Sequence, residues 1–392
     1  MSVALGVPAG QGPAPLLFGE DVDPWPAVRR AIAEEYAEPH AYPWIVGFSG
    51  GKDSTVVCHL VVEHLLSLPR SARRRRVHIV SNDTLVESPL VIGHLLKVTD
   101  ELRRAADAFA LPLTVEITRP HSDQTFWVGL IGRGYPSPNR SFRWCTDRMK
   151  IQPTSRYIRA QADAGGQAIL LLGVRRDESV TRAGSIARYD NGERLNRHND
   201  LVNCMVFRPI VDVTTEQVWE FLGENSPPWG GSHRDLIALY RNASGGECPV
   251  VTQKSDAPSF GTSSSRFGCW TCTVVEKDRS LAGFVEAGFA EFTPLLEFRD
   301  WLVSIRNDRT RRMARRRDGS TTVTSDGTYV PGPFTMETRQ EILRRVLDLQ
   351  ARVGRPLISE DEVARVRELW AEDALEGARR ASAEADRPPV GS

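Results

Sequence analysis

Apolar positions fall into two periods along the chain, and the switches between the periods outline the fold. Residues 25–36 carry helical spacing, and Pro43-Trp44-Ile45-Val46-Gly47-Phe48 is then a short apolar run that predicts a buried strand. Residues 55–68 return to helical spacing, with Val56, Val57, Leu60, Val61, Leu65 and Leu66 as the apolar set. The same reading predicts strands at 76–80, 113–117 and 168–174 and helices at 90–109 and 154–164. Strands alternating with helices imply an α/β fold, an open parallel sheet flanked by helices on both faces. From about 225 the texture changes to Gly, Ser, Pro and Trp with a cysteine cluster. The expected organisation is therefore a sheet domain at 23–225, an irregular cysteine-bearing insert at 226–282 and a helical part at 283–371, where helices return near Phe284. Residues 1–22 and 372–392 carry few large apolar side chains and are expected to remain disordered.

Composition narrows the function classes. Acidic and basic residues balance at 50 each, so no overall field draws the chain to nucleic acid or membrane, and such binding needs a local patch. Five lysines stand against 45 arginines. The amino-terminal segment has no signal-peptide pattern and no stretch is apolar enough to span a bilayer, so a cytoplasmic protein without a membrane partner is expected. In a reducing compartment the six cysteines are core residues, metal ligands or reactive thiols rather than disulfides.

The sharpest local signal is Ser49-Gly50-Gly51-Lys52-Asp53-Ser54, lying between the first buried strand and the first long helix. Two glycines permit a tight turn and close approach of a ligand, and the N–H groups that open the helix favour phosphate. The spacing is neither that of a Walker A loop nor that of a dinucleotide-binding GxGxxG. Three further segments follow in order: Val80-Ser81-Asn82-Asp83-Thr84 at the end of the second strand, Arg143 to Pro153 with Cys145 and Lys150, and Leu172-Gly173-Val174-Arg175-Arg176-Asp177-Glu178-Ser179 with Arg182. Arginines at a strand end can hold phosphate oxygens in a bidentate manner. Arg208 to Trp219 closes the series, with Thr214 as a helix cap.

Together these segments, over about 43–222, resemble the PP-loop, phosphoadenosine phosphosulfate reductase-like enzymes that split ATP between its α and β phosphates. The resemblance implies an adenine nucleotide alpha hydrolase-like fold, ATP and Mg²⁺ as ligands, and a nucleotide site built from Ser49, Gly50, Gly51, Lys52, Asp53, Ser54, Asp83, Thr84, Lys150, Gly173 and Arg175. Lys52, Arg175 and Arg182 would offset phosphate charge, and Asp53 would assist the metal.

Downstream, Cys269-Trp270-Thr271-Cys272 holds two thiols at chelating distance, and Cys248 and Cys145 can complete four ligands for an iron–sulfur cluster or a tetrahedral zinc. The spacing fixes neither. The string Ser265-Arg266-Phe267-Gly268-Cys269-Trp270-Thr271-Cys272-Thr273-Val274-Val275 resembles the DndC-type components of DNA phosphorothioation systems, which implies a 4Fe-4S cluster; the sister SspD type is the alternative. That family places a further cysteine where Phe260 stands. Cys248 then replaces it as a ligand, or one iron stays open, or the cluster is lost.

Cys58 and Cys204, on apolar faces, are expected in the core. Arg306, Arg309, Arg311, Arg312, Arg315, Arg316 and Arg317 form a dense basic block that suits DNA phosphates. The resemblance implies an ATP pyrophosphatase that adenylates a DNA backbone phosphate for sulfur incorporation, with a cysteine desulfurase and other proteins of the DNA modification complex as partners. The competing readings are a sulfonucleotide reductase or sulfate-activating subunit, a tRNA-thiolating PP-loop enzyme, and a scaffold that binds ATP without cleaving it. No cysteine follows Cys272, which speaks against a reductase with a carboxy-terminal catalytic thiol.

Overall fold

The strands predicted from short apolar runs assemble side by side. The computed structural model describes residues 23–243, 267–316, 319–323, 327 and 329–385. In it β1 (Trp44–Gly47), β2 (Val77–Asn82), β3 (Leu113–Thr118), β4 (Ala168–Leu171), β5 (Leu195–Arg197) and β6 (Cys204–Phe207) form one sheet in the order β3-β2-β1-β4-β6-β5. All neighbours pair parallel except β5, which runs antiparallel to β6 at the edge. Residues 172–174, expected to extend β4, leave the ladder and open into a loop.

Helices cover both faces, which is why Trp44, Ile45 and Val46 are all fully buried. On one face α1 (Trp25–Ala37), α2 (Lys52–Ser67) and α3 (Pro89–Phe109) pack on Trp44, Val46, Ile79 and Ile169. On the other, the short α4 (Trp144–Thr146) leads into α5 (Gln152–Gly165), whose Ile158 and Ala162 meet Ile45, Val80 and Leu170. After α6 (Val180–Tyr189), α7 (Thr215–Glu224) begins at Thr214, which forms a reciprocal capping box with Gln217 as the N-cap expectation requires.

Two corrections concern the region after 225. The expected irregular insert contains a regular helix, α8 (Arg234–Ala243), whose Leu236, Leu239, Tyr240 and Ala243 recur at helical spacing and are buried. Near Phe284, where a helix is expected, lies α9 (Arg279–Glu286), capped by Asp278. Then α10 (Thr293–Ile305), a small β7 (Thr322–Val323) and β8 (Tyr329–Val330) hairpin, α11 (Met336–Val353) and α12 (Glu360–Ala385) follow. Residues 372–385, expected to be disordered, continue α12, in keeping with the high helix propensity of Ala, Glu, Leu and Arg in that stretch. Residues 1–22 and 386–392 lie outside the described residues.

The carboxy-terminal helices do not stand apart. Phe284, Leu295, Leu302, Ile342 and Val366 share one core with Phe126, Trp127, Ile131, Trp144 and Trp270, so the segment after β3, α4 and the Cys269–Cys272 loop are held together. Among the described residues no helix is long and apolar enough to cross a membrane.

Candidate functional site

Beyond β1 the chain turns through Ser49-Gly50-Gly51 into α2, with Gly50 at φ 72°, a conformation that glycine adopts without steric cost. Ser54 closes the turn: its hydroxyl accepts from the Ser49 N–H at 3.2 Å and donates to the Gly51 carbonyl at 3.0 Å. Gly51 at the N-cap supplies no side-chain acceptor, which leaves the positive end of α2 directed at the cleft. The cleft, about 550 Å³, is lined by Ser49, Gly51, Lys52, Asp53, Ser54, Asn82, Glu87, Lys150, Gly173, Arg175 and Arg182 among others.

Charges at the loop are arranged around Asp53. Its Oδ2 pairs with Lys52 Nζ at 3.0 Å and its Oδ1 with Arg175 Nε at 2.7 Å. Arg175 is 1 % exposed and spends its remaining donors on Asp177 at 3.3 Å, the Val213 carbonyl at 3.0 Å and Thr215 Oγ1 at 3.1 Å. It therefore acts on a ligand through Asp53 and the loop rather than as a guanidinium clamp on phosphate. Arg182, in the first turn of α6, is half-exposed beside Glu178 at 3.4 Å, so its head borders the cleft. Gly173 has a steric reason to be glycine. A Cβ there would lie 2.7 Å from the Asp53 carbonyl group and 2.8 Å from Ser54 N, so the β4 loop and the phosphate loop are in direct backbone contact.

At the end of β2 two of the expected site residues, Asp83 and Thr84, are not among those that line the cleft. Asp83 accepts the Leu85 N–H at 2.9 Å and pairs with Arg119 at 3.0 Å. Thr84 is buried, donating to Glu87 at 3.0 Å. The period-two alternation of the strand puts Asn82 at the cleft instead, its Oδ1 accepting from Thr118 at 2.6 Å and Thr154 at 2.8 Å.

The cysteine loop docks on the same strand end. Glu87 and Cys269 form an antiparallel bridge, Trp270 N–H donates to the Val86 carbonyl at 3.1 Å, and Cys269 Sγ lies 3.3 Å from Thr84 Oγ1. Lys150 meets Glu87 at 3.1 Å and interacts electrostatically with Cys269 and Cys145, while Cys145 and Cys269 each interact with Cys272. Desolvation raises the Cys145 and Cys269 thiols above the usual cysteine range. Burial works against the charge of Lys150, but the Cys269 site and the Glu87 carboxylate that accepts its hydrogen bond favour it, so its pKa is raised. Cys145 and Cys269 thus neighbour Lys150, and Cys272 neighbours those two thiols. Among the described residues no group of three or more His, Cys, Asp or Glu is arranged to hold a metal ion, and Cys248 and Phe260 lie outside the described residues. Cys58 and Cys204 are buried in the core, as expected.

Arg299 was not anticipated. It is fully buried in α10 and donates to the carbonyls of Cys272 at 2.8 Å, Glu276 at 2.7 Å and Val275, so one guanidinium closes the chain that follows the cysteine pair. Its only trace in the sequence is an arginine inside an apolar helix.

The basic block divides into two groups. Arg306 donates to the Thr273 carbonyl at 2.6 Å, Arg311 pairs with Glu341 at 2.5 Å, and Arg312 binds the carbonyls of Gly332 at 2.6 Å and Pro331 at 2.8 Å. Burial pushes the Arg312 guanidinium down to about 10. These three are structural. Arg309, Arg315 and Arg316 are exposed, and Arg317 lies outside the described residues.

The family model for the phosphoadenosine phosphosulfate reductase domain matches residues 43–275, from β1 through the cysteine loop. The chain belongs to this family. A curated relative, an uncharacterized protein of Methanocaldococcus jannaschii, is 25% identical over 187 residues, which are 48% of this chain and 32% of that protein. The chain therefore spans about a third of that relative's length. Similar solved structures include the phosphoadenylyl-sulfate reductase of Candida auris, at 14% identity and TM-score 0.32 over 51% of this chain and 80% of that one. Another is the U34-tRNA thiolase NcsA of Methanococcus maripaludis with its 4Fe-4S cluster, at 12% identity and TM-score 0.33 over 60% of this chain and 75% of that one.

Proposed function

We propose that this member of the reductase-domain family cleaves ATP to AMP and pyrophosphate and uses the adenylate to activate a DNA backbone phosphate for sulfur incorporation, as in DndC-type phosphorothioation. The observation that carries the proposal is Lys150, which lines the nucleotide cleft and at the same time pairs with Glu87 beside Cys269. An adenylate formed in the cleft would stand next to the thiols. In this reading a non-bridging oxygen of the phosphodiester attacks the α-phosphorus of ATP and pyrophosphate leaves. A sulfur nucleophile at the sulfide level then displaces AMP at the DNA phosphorus, so the oxygen departs with AMP and sulfur remains on the DNA.

The chain's own groups have distinct tasks. Lys52 and the α2 amide groups offset phosphate charge, Arg175 and Asp53 hold the loop, and Arg182 borders the leaving pyrophosphate. Both Asp53 oxygens are taken by cations, so Mg²⁺ would be carried on triphosphate oxygens and water rather than on this carboxylate. Cys145, Cys269 and Cys272, with Cys248, would hold the iron–sulfur cluster, which supplies a soft site for sulfur when bound. A cysteine desulfurase would supply the sulfur as a persulfide, which a dithiol reductant brings to the sulfide level with formation of its disulfide, and other proteins of the modification complex would dock nearby.

Anaerobically purified chain is expected to contain about four iron and four sulfide, and Cys269→Ser to lose both. A colourless protein with a single zinc would remove the reason for preferring this subfamily. With ATP, labelled cysteine and desulfurase, label is expected in DNA. Label in tRNA, or sulfite from a sulfonucleotide, would replace the reading with the thiolation or reductase alternative, and ATP binding without pyrophosphate release would leave a scaffold. For DNA contact the exposed arginines are the test. Changing Arg309, Arg315 and Arg316 together to Ala is expected to reduce the slope of log affinity against log salt by about 2–3, and an unchanged slope would exclude this surface.

A further inference from the structure

The first N–H of α2, that of Lys52, is the amide a phosphate oxygen takes at a helix N-terminus. In this structure its partner is the hydroxyl of Tyr240, 188 residues further along the chain in α8, at 3.3 Å. Gly51 admits the hydroxyl, since a Cβ there would stand 3.2 Å from Tyr240 Oη. The ring is buried and packs edge-on against Trp219 at 4.9 Å and Phe267 at 4.5 Å between centroids, while Lys52 Nζ lies 5.8 Å from its centroid. Burial foremost, with Asp53 in the same sense, raises the phenol well above its usual range, so the hydroxyl keeps its proton. That proton has no acceptor among the described residues. The hydroxyl thus holds one phosphate-binding amide and carries an unused donor, both at the mouth of the loop. The cations nearest to it, Lys52 and Arg175, already pair with Asp53, so uncharged donors carry part of the work of holding an anion there.

We propose that Tyr240 is a phosphate-contacting residue of the nucleotide site, contributed by the segment that follows the sheet domain. When a pyrophosphate moiety enters the loop, the phenol turns its proton onto a phosphate oxygen and yields the Lys52 N–H to the same anion. The proposal rests on the reading of this cleft as an ATP site. Tyr240 is the one tyrosine lining the cleft among the described residues, which makes it observable in the wild-type chain.

The test is titration calorimetry of the full chain and Tyr240→Phe with inorganic pyrophosphate and with AMP, each variant's melting temperature being measured alongside. The Phe ring keeps both aromatic contacts. Pyrophosphate affinity is expected to fall about tenfold or more, the scale of a lost hydrogen bond to a charged group, with AMP affinity unchanged. Equal pyrophosphate affinity, or equal weakening of both ligands, would overturn the assignment, the second by making Tyr240 a packing residue. Should the variant not fold, the wild-type ultraviolet difference spectrum decides. Pyrophosphate is expected to red-shift tyrosine absorption and AMP is not, and no shift with pyrophosphate overturns the proposal. A wild-type chain that binds neither ATP nor pyrophosphate would instead fail the underlying ATP-site reading.

Discussion

Arg175→Met is expected to lower AMP and pyrophosphate formation by about two to three orders of magnitude and to reduce stability by about 3 kcal/mol. The buried guanidinium neutralises Asp53 and Asp177 and fastens the carbonyl of Val213 and the hydroxyl of Thr215. Methionine fills much of the volume but leaves Asp53 with Lys52 as its remaining cation. Asp53 then draws Lys52 Nζ away from phosphate, so the loss falls on turnover as well as on folding. Since Arg175 works through Asp53, Asp53→Asn combined with Arg175→Met should recover part of the stability without recovering activity. Thermal unfolding and coupled pyrophosphate release measure the two effects separately. Wild-type turnover in Arg175→Met would refute the positioning role.

Gly173→Ala, a single added methyl, is expected to reduce ATP cleavage about a hundredfold. The methyl carbon would sit 2.7 Å from backbone atoms of Asp53, so the phosphate loop itself must retreat. Overpacking of this kind costs about 1–3 kcal/mol, and a misplacement on the order of 1 Å at a reacting group costs roughly 10²-fold. Gly93→Ala is the control. It lies in α3 with nothing within 4 Å of the added carbon, and it should gain about 0.5–1 kcal/mol from helix propensity with activity unchanged. Comparable loss of activity in both variants would show that the effect is not specific to the loop contact.

The sheet was legible because buried parallel strands and their covering helices leave short-range signals. Trp44 to Gly47 is a continuous apolar run, and α3 repeats its buried Val91, Leu95, Val98 and Leu102 at helical spacing. The glycine-rich turn was legible for a related reason: a tight turn into a helix needs glycine and a nearby hydroxyl that bonds the turn's own backbone, and Gly50, Gly51 and Ser54 are such a set. Helix α8 was harder. Its apolar face covers only a few turns and is set among Gly, Ser, Pro and Trp, so composition masked the period.

Side-chain direction at a strand end depends on register and on which turn follows, and composition carries neither. Asp83 turned out to serve its own turn and Arg119, while Asn82 took the cleft. The arginine block shows the same limit, since equal guanidinium groups became three structural anchors and three exposed charges according to which carbonyls and carboxylates folding brought near them.

By itself the sequence determined the parallel sheet, the glycine-rich turn and its place between β1 and α2, the Thr214 cap and the membership of Cys58 and Cys204 in the core. Each of these rests on neighbours within about a dozen residues, where period, turn chemistry and capping act. The tertiary structure alone decided that Lys150 and Glu87 join the cleft to Cys269, that Arg299 closes the cysteine loop, that Gly173 yields its side chain to Asp53, and that Tyr240 reaches Lys52. Those pairings span from tens of residues to nearly two hundred, and no local spacing encodes them: they exist because burying two apolar cores in one chain leaves these polar groups facing one another.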